Sequence, residues 1–231
     1  MSVIEIQDLV KIYNNTAVQV TAVNHVSLTI DKGEFTAIVG PSGSGKTTLL
    51  NLIGGLDEPT SGTIFVDHVD ITKLNNKQLV DFRLNNIGFV FQSYNLIPVL
   101  TAFENVSFIM EMQGMAKPVI QARTREILTE VGLGDRMNSR PNQLSGGQQQ
   151  RVAVARAMAS KPTFIIADEP TANLDSKATA KLLEMMENLN RKEHITFLFS
   201  THDQRVMNQA HRIIVLEDGK IVKDDKMADP E

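Results

Sequence analysis

One segment of the chain has the residue types and the spacing needed to hold the phosphates of a nucleotide. It consists of Gly40, Pro41, Ser42, Gly43, Ser44, Gly45, Lys46 and Thr47, followed by Thr48. This is the G-x-x-x-x-G-K-[ST] pattern, in which glycines let backbone N–H groups converge on phosphate oxygens. We expect Lys46 to reach the β- and γ-phosphates and the Thr47 hydroxyl to ligate Mg²⁺, while Thr48 donates to a phosphate oxygen.

Two adjacent carboxylates follow an apolar stretch that is typical of a buried strand. The stretch is 164–167, and the carboxylates are Asp168 and Glu169. A carboxylate at a strand end can hold Mg²⁺ and its hydration shell. We therefore assign Asp168 to the metal and Glu169 to the alignment and polarisation of an attacking water. Without the phosphate loop, a solvated strand end would explain such a pair equally well.

Three further side chains follow predicted strands and are candidates for the same site. Gln92 follows the strand 87–91, and its amide could bind the metal or the water and sense the γ-phosphate. His202 follows the strand 195–200 and could contact the γ-phosphate and hold the water with Glu169. Tyr13 follows the first strand and could stack on the base. Each also has an ordinary structural explanation, as a surface glutamine, a structural histidine or an exposed tyrosine.

A second segment has the composition of another anion site. It consists of Leu144, Ser145, Gly146, Gly147 and Gln148 and precedes a predicted helix. A hydroxyl and two glycines leave a helix N-terminus open to an anion, although the same residues could be a simple helix cap. A hydrolase with one triphosphate has no use for two such sites, unless the second serves a nucleotide held by another copy. The pair of segments therefore predicts a dimer with the nucleotide at its interface.

The composition excludes several classes of protein. The chain has 231 residues, is 42% hydrophobic and can bury a sizeable core. Its net charge of −4 and pI of about 5.8 argue against a dedicated nucleic-acid binder. It has no cysteine, no secretory signal pattern and no stretch near the roughly 20 apolar residues that span a bilayer. We expect a soluble, cytoplasmic protein, so any action at a membrane would need another subunit to span it.

Hydrophobic patterning predicts an α/β fold. Strands are predicted at 3–10, 26–30, Phe35–Val39, 63–66, 87–91, 164–167, 195–200 and 212–216. Helices are predicted at 47–53, 75–83, 101–112, 120–131, from 147 onwards and around 182–189. Strands that alternate with helices favour a mostly parallel sheet. We interpret 1–231 as a single domain, in which a helical subdomain at 92–161 is inserted between the core segments 1–91 and 162–231. Residues 224–231 are predicted to be a polar, frayed tail.

These motifs in this order resemble those of the ATP-binding cassette (ABC) ATPases, over nearly the whole chain. By that resemblance Gly40 to Thr48 form the Walker A loop, 164–169 form Walker B with its catalytic glutamate, and 144–148 form the family signature. Tyr13 matches the adenine-stacking loop, Gln92 the Q-loop, 172–175 the D-loop and His202 the switch histidine. The resemblance implies ATP and Mg²⁺ as cofactors, a P-loop NTPase (RecA-like) core with an N-terminal antiparallel β subdomain, and a head-to-tail dimer.

A narrower resemblance is to the lipoprotein-release and macrolide-export cassettes. It rests on 54–62 (GGLDEPTSG), 89–92, 95–98 and 144–151. The pair Gln149 and Gln150 leans toward the macrolide-export type. This resemblance implies a separate membrane permease as partner, which would hold the chain at the inner face of the cell membrane. We expect the region 92–115 to grip cytoplasmic helices of that permease; its apolar residues 108–112 could line the docking groove or belong to the core.

Two other classes of function compete with this interpretation. One is a soluble ABC-type ATPase that acts on nucleic acid or ribosomes without a permease. Such proteins carry a long coiled coil or two tandem cassettes, and this acidic chain has neither. The other is a monomeric P-loop kinase, which would leave 144–148 without a role. We therefore expect a transporter ATPase in which Glu169, His202, Gln92 and Lys46 are catalytic, with no nucleic-acid partner.

Overall fold

The structure is a computed structural model that describes residues 1–14 and 19–227. Its strands are β1 Ser2–Tyr13, β2 Val20–Asp31, β3 Phe35–Val39, β4 Ser61–Val66, β5 Val69–Asp70, β6 Ile87–Val90, β7 Phe164–Asp168, β8 Thr196–Thr201, β9 Arg212–Glu217 and β10 Lys220–Lys226. Its α-helices are α1 Lys46–Ile53, α2 Asn76–Asn86, α3 Ala102–Met112, α4 Lys117–Glu130, α5 Gly146–Ala159, α6 Ser176–Glu193 and α7 Gln204–Met207.

The first sheet is antiparallel and has the strand order β2-β1-β4-β5. The residues Val3, Ile4, Ile6, Leu9 and Val10 of β1 are buried, whereas Glu5, Gln7 and Asp8 are exposed. This pattern of buried apolar and exposed polar residues is typical of a strand with one face on the core and one face in solvent. The strand pairing extends further than the sequence suggested, because β1 runs to Tyr13 and β2 begins at Val20.

The second sheet has the strand order β10-β9-β3-β8-β7-β6, and among the strands that the structure describes only β10 joins it antiparallel. The central strands β3 and β8 are buried along their whole length. Fully buried, apolar strands are typical of parallel sheets that helices cover on both faces. The predicted α/β class, with a mostly parallel core and an antiparallel N-terminal sheet, is confirmed.

The helices α3, α4 and α5 lie between β6 and β7 in the chain. A capping box starts α3, in which Thr101 Oγ1 accepts from the Glu104 N–H and the Glu104 carboxylate accepts from the Thr101 N–H. These reciprocal bonds satisfy two backbone N–H groups that a helix start otherwise leaves unpaired. The three helices occupy the stretch assigned to the inserted subdomain, whose limits at 92 and 161 stay a prediction.

Two hydrophobic clusters fill the interior. One lies between the two sheets and includes Leu49 and Ile53 of α1. The other joins the parallel sheet to α3, α4, α5 and α6. In the second cluster the Phe35 ring lies 4.8 Å from the Phe199 ring and 5.6 Å from the Phe197 ring, both tilted as aromatic pairs prefer. The core thus fixes α1 and α5, the two helices that follow the anion-binding motifs.

The predicted polar tail is partly wrong. Residues 224–226 belong to β10, which pairs with β9, while 228–231 lie outside the described residues. The reason is a buried cation: Arg212, only 7% exposed, donates twice to the Asp224 carboxylate at 2.7 Å and also donates to Glu34. This ion pair attaches β10 to the rest of the sheet. The polar composition of the segment does not reveal that such a pair forms. The hydrogen bonds from Arg212 also hold the pKa of Asp224 below its ordinary value.

Of the helices in the part of the chain that the structure describes, none combines the length and the apolar character needed to cross a bilayer.

Replacement of Asp224 by Asn should lower the free energy of unfolding at pH 7 by about 1 kcal/mol, a modest value because a partly exposed ion pair is screened by water. Because the folded pKa of Asp224 is depressed, its contribution is full above the ordinary aspartate pKa of about 3.9 and is lost as the pH falls through the folded value. Urea unfolding of both proteins between pH 7 and pH 3 measures this difference.

The control is Asp225→Asn, because Asp225 is a neighbour on β10 that pairs only with Lys223 at the surface among its described contacts. It should change the free energy of unfolding by less than about 0.5 kcal/mol. An Asp224→Asn deficit that stays constant down to pH 3 would contradict the ion-pair explanation.

Candidate active site

A cleft of about 900 Å³ opens at the carboxyl end of the parallel sheet. Its wall includes the whole phosphate-loop motif, Gly40 to Thr48, which connects β3 to α1. Glycine is required at two of these positions, because a Cβ on Gly40 would lie 2.0 Å from the Leu216 carbonyl oxygen and one on Gly45 would lie 2.1 Å from that of Ala22. The loop therefore passes between two other backbone segments, with the N-terminus of α1 directed at the cleft.

Lys46 is held inside this loop. It is only 9% exposed, and its Nζ donates to the carbonyl oxygens of Gly40 and Pro41 at 2.9 Å each. An ammonium group kept near a helix N-terminus and several backbone N–H groups makes this end of the cleft strongly attractive to an anion. The geometry suits a chain of phosphates.

Three oxygen-bearing side chains meet beside the loop. The Thr47 hydroxyl lies 3.1 Å from both carboxylate oxygens of Asp168, and the Ser200 hydroxyl donates to Asp168 Oδ1 at 2.5 Å. Oxygen ligands of this kind suit Mg²⁺, which proteins usually hold through one or two side chains together with substrate phosphates. Thr47 and Asp168 therefore fit the predicted metal site.

Glu169 follows Asp168 in a strained backbone conformation, with a φ of 47°. A non-glycine residue in the left-handed region costs about 1–3 kcal/mol, and such strain is often found at functional positions. Its N–H donates to the Ser200 hydroxyl at 3.0 Å, and its carboxylate lies 2.9 Å from the Nδ1 of His202. The structure thus brings Glu169 and His202 together at the cleft, as the sequence suggested.

Gln92 also lines the cleft and lies two residues after the end of β6. Its backbone carbonyl oxygen accepts a hydrogen bond of 2.9 Å from the Asn173 side-chain amide. Asn173 belongs to the turn between β7 and α6, so two loops that follow neighbouring strands are joined here. The link between Gln92 and Asn173 was not expected from the sequence.

Tyr13 forms part of the same cleft, at the last position of β1. Its hydroxyl donates to the Asp57 carboxylate at 2.7 Å. Burial and the bond to Asp57 raise the pKa of Tyr13, and a hydrogen bond from Thr48 opposes them. The ring is therefore fixed at its hydroxyl end, close to the phosphate loop.

The second anion-binding motif lies in a different cleft, of about 210 Å³, at the start of α5. Ser145 is the N-cap: its hydroxyl accepts from the Gln148 N–H at 3.3 Å, and its own N–H donates to the Gln148 side chain at 2.8 Å. Among the described residues, the two clefts have no lining residue in common. The turn 172–175 lies between them and contributes residues to both.

Sequence reasoning missed several residues of the two clefts. Ser200, Asp218 and Gly219 contact or line the first, and Arg151 and Lys181 line the second. For Ser200 a signal existed, since it ends a predicted strand two residues before His202. Its role depends on β8 lying next to β7, with Ser200 opposite Asp168, and the order of strands is not readable from the sequence.

Comparisons with known sequences identify the family. Residues 23–172 match the sequence model of the family described as ABC transporter. The chain is 49% identical over 207 residues to the lipoprotein-releasing system ATP-binding protein LolD of Anaeromyxobacter dehalogenans, covering 89% of this chain and 87% of that protein. It is 47% identical over 202 residues to the macrolide export ATP-binding/permease protein MacB of Campylobacter jejuni, covering 87% of this chain and 31% of MacB.

A solved structure has the same fold. The ATP-binding cassette MJ0796 of Methanocaldococcus jannaschii, a dimer in a post-hydrolysis state with ADP and Pi, superposes with a TM-score of 0.89 at 41% identity. The match covers 97% of this chain and 99% of that one. The resemblance to the lipoprotein-release and macrolide-export cassettes is confirmed by the relatives. The chain therefore belongs to the ABC transporter family and is an ATP-binding cassette ATPase.

Proposed function

We propose that two copies of this chain close head-to-tail around two ATP molecules and drive a separate membrane permease. The separation of the two anion-binding elements within one chain carries this proposal. The phosphate loop and the start of α5 line different clefts, so one copy offers each ATP only part of its binding groups. The dimer of the related MJ0796 cassette with ADP and Pi supports the same arrangement here.

The start of α5 is suited to the γ-phosphate of a neighbour. Gly146 and Gly147 carry no side chains at the first positions of the helix, and the helix dipole favours an anion there. Ser145 is exposed and can offer its hydroxyl across the interface. Each of the two reaction chambers then combines Gly40 to Thr48 of one copy with 145–148 of the other.

The hydrolytic step follows from the positions of the polar groups in the first cleft. Glu169 accepts a proton from a water molecule as the oxygen of that water attacks the γ-phosphorus. The bond between the γ-phosphorus and the ADP oxygen breaks at the same time. His202 holds the Glu169 carboxylate in place. Lys46 and the loop N–H groups stabilise negative charge on the phosphates. Tyr13 stacks on adenine. Thr47 and Asp168, together with Gln92, would hold Mg²⁺, which would supply positive charge that stabilises the phosphates.

The loop after β6 connects the two clefts. Gln92 lines the first cleft, and the Tyr94 hydroxyl lies so close to Gly146 that a Cβ there would approach it to 2.8 Å. Arg156 of α5 donates to the carbonyl oxygens of Tyr94 and Asn95 at 3.0 and 2.5 Å. A change in the contacts of Gln92 would therefore shift the start of α5 and the rest of the helical subdomain, 92–161.

A groove of about 430 Å³ suits the permease. It runs between α2, β6 and α3, and mostly hydrocarbon side chains line it. Phe108 is 39% exposed and Met112 is 55% exposed, whereas Met110 is fully buried in the core. The apolar stretch 108–112 thus combines both predicted roles. We infer that the groove receives cytoplasmic helices of the permease and holds the chain at the inner face of the cell membrane.

The names of the relatives favour a permease over nucleic acid or ribosomes as partner. MacB is an ATP-binding/permease protein, and LolD belongs to a lipoprotein-releasing system. The work driven by this chain is therefore export, extraction of lipoproteins or force transmission through such a permease. A net charge of −4 gives no support to nucleic-acid binding.

Replacement of Glu169 by Gln should lower kcat at least about a hundredfold, because an amide cannot accept the proton from the water. ATP binding is kept, so the variant should accumulate as an ATP-bound dimer in size-exclusion chromatography with light scattering. The control is Glu184→Gln on the exposed surface of α6, which should hydrolyse ATP at the normal rate and show no stable dimer. Normal turnover by Glu169→Gln would mean that another group activates the water.

A mixing experiment tests the sharing of chambers between copies. Lys46→Ala removes the phosphate ligand, and Ser145→Arg blocks the start of α5, so each variant alone should be inactive. An equal mixture should recover roughly a quarter of the wild-type rate, since half of the dimers are mixed and each has one of two chambers intact. No recovery in phosphate-release assays, with both variants folded by circular dichroism, would contradict the shared chamber.

Negative charges introduced into the groove test whether the permease docks there. The double variant Phe108→Asp with Met112→Asp should keep its ATPase rate in solution but lose co-purification with the permease from detergent-solubilised membranes, because a carboxylate opposes apolar docking. Val222→Asp, at an equally exposed apolar position on β10, should retain co-purification. Identification of the co-purified subunit by mass spectrometry completes the test, and equal recovery with both variants would contradict docking at the groove.

A further inference from the structure

The segment 54–62 (GGLDEPTSG) supports the resemblance to one branch of cassettes, yet it belongs to none of the nucleotide motifs described above. In the structure it leads from α1 into β4 and lies along the end of β1. The Thr60 N–H donates to the Val10 carbonyl at 2.8 Å, and the Ile12 N–H donates to the Thr60 hydroxyl at 2.9 Å. These bonds bring Asp57 next to the last residues of β1.

Asp57 accepts three hydrogen bonds at this position. Its Oδ2 accepts from the Tyr13 hydroxyl at 2.7 Å, while its Oδ1 accepts from Lys11 Nζ at 2.7 Å and from the Glu58 N–H at 2.8 Å. Burial raises the pKa of Asp57, but these three bonds outweigh it and hold the pKa below its ordinary value. The carboxylate is therefore charged at neutral pH and joins a cation to the tyrosine hydroxyl.

Lys11 contacts the ring of Tyr13 as well as its anchor. Lys11 and Tyr13 lie two positions apart at the end of β1. The Lys11 Nζ lies 4.8 Å from the Tyr13 ring centroid and also donates to the Glu58 carbonyl at 2.7 Å. Its side chain is only 13% exposed. One face of the ring is thus covered by a cation that Asp57 and the Glu58 carbonyl hold in place.

We propose that Asp57 and Lys11 are positioning residues for the base platform: they fix the Tyr13 ring before ATP arrives and direct its uncovered face to the adenine. This inference rests on the proposed stacking role of Tyr13. A ring fixed in advance loses no side-chain freedom when the base binds, so the affinity for ATP rises without any contact between Asp57 and the nucleotide. The segment 54–62 then links the base platform to α1, the helix that begins with Lys46.

Two ligands separate this role from a general structural one. ATP carries a base, whereas inorganic tripolyphosphate offers the phosphate loop a similar charge without a base. Asp57→Asn should weaken ATP binding about three- to tenfold, because an amide cannot satisfy both the lysine and the hydroxyl, and should leave tripolyphosphate binding unchanged. Tyr13→Phe keeps the ring and loses its anchor, so it should show the same selective loss. Both affinities are measured by displacement of a fluorescent ATP analogue from the purified protein.

A double-mutant cycle tests the connection directly. If Asp57 acts through the Tyr13 hydroxyl, Asp57→Asn should cost little further ATP affinity in the Tyr13→Phe background. Lys11→Met keeps the apolar stem over the ring and removes the charge, and it should also weaken ATP selectively. It serves as the second variant if Asp57→Asn folds poorly. Asp70→Asn is the matched control: Asp70 lies on β5 of the same antiparallel sheet and pairs with Lys73, so the change should alter neither affinity.

The outcomes distinguish the two levels of the proposal. If Tyr13→Ala weakens ATP binding while Asp57→Asn and Lys11→Met do not, the positioning role is wrong and the stacking role stands. If Tyr13→Ala leaves ATP binding unchanged, the stacking role is wrong and the positioning role falls with it. An equal loss of ATP and tripolyphosphate affinity in Asp57→Asn would also overturn the proposal, because it would show a structural effect on the whole cleft.

Discussion

The parallel register of β3, β8 and β7 is the constraint on which the first cleft depends. Val39 at the end of β3 lies opposite Thr201 of β8, and Ser200 of β8 lies opposite Asp168 of β7. Because three neighbouring strands end at one edge, the segments that follow them must meet there. Those segments are the phosphate loop, Glu169 and His202. The apolar interior of these strands therefore determines where charge and metal can be held.

The same core also holds the second anion-binding motif. The α5 helix packs Val152, Val154 and Met158 into the cluster beneath the sheet, and this packing fixes the position of Ser145 at its start. The start of α5 therefore lines a cleft separate from that of the phosphate loop. In the dimer proposed above, ATP would form a contact between the copies, and its binding energy would be available for closing the dimer and for moving the permease.

Much of this arrangement could be predicted from the sequence, because each motif residue follows a recognisable strand. Asp168, Glu169 and His202 were expected at one sheet edge, and they are found there. Ser200 and the partners of Tyr13 were not expected, since their roles depend on contacts between segments distant in the chain. The strand β10 was missed because an ion pair between Arg212 and Asp224 attaches a segment of polar composition.

The central claim is that one copy holds only half of each reaction chamber, and dilution tests it most directly. ATPase rate per chain should be measured by phosphate release across a wide range of protein concentration, with the molar mass followed by light scattering. If the chambers are shared, the rate per chain falls toward zero as the dimer dissociates. A constant rate per chain at every dilution, from a protein of monomeric mass, would contradict it.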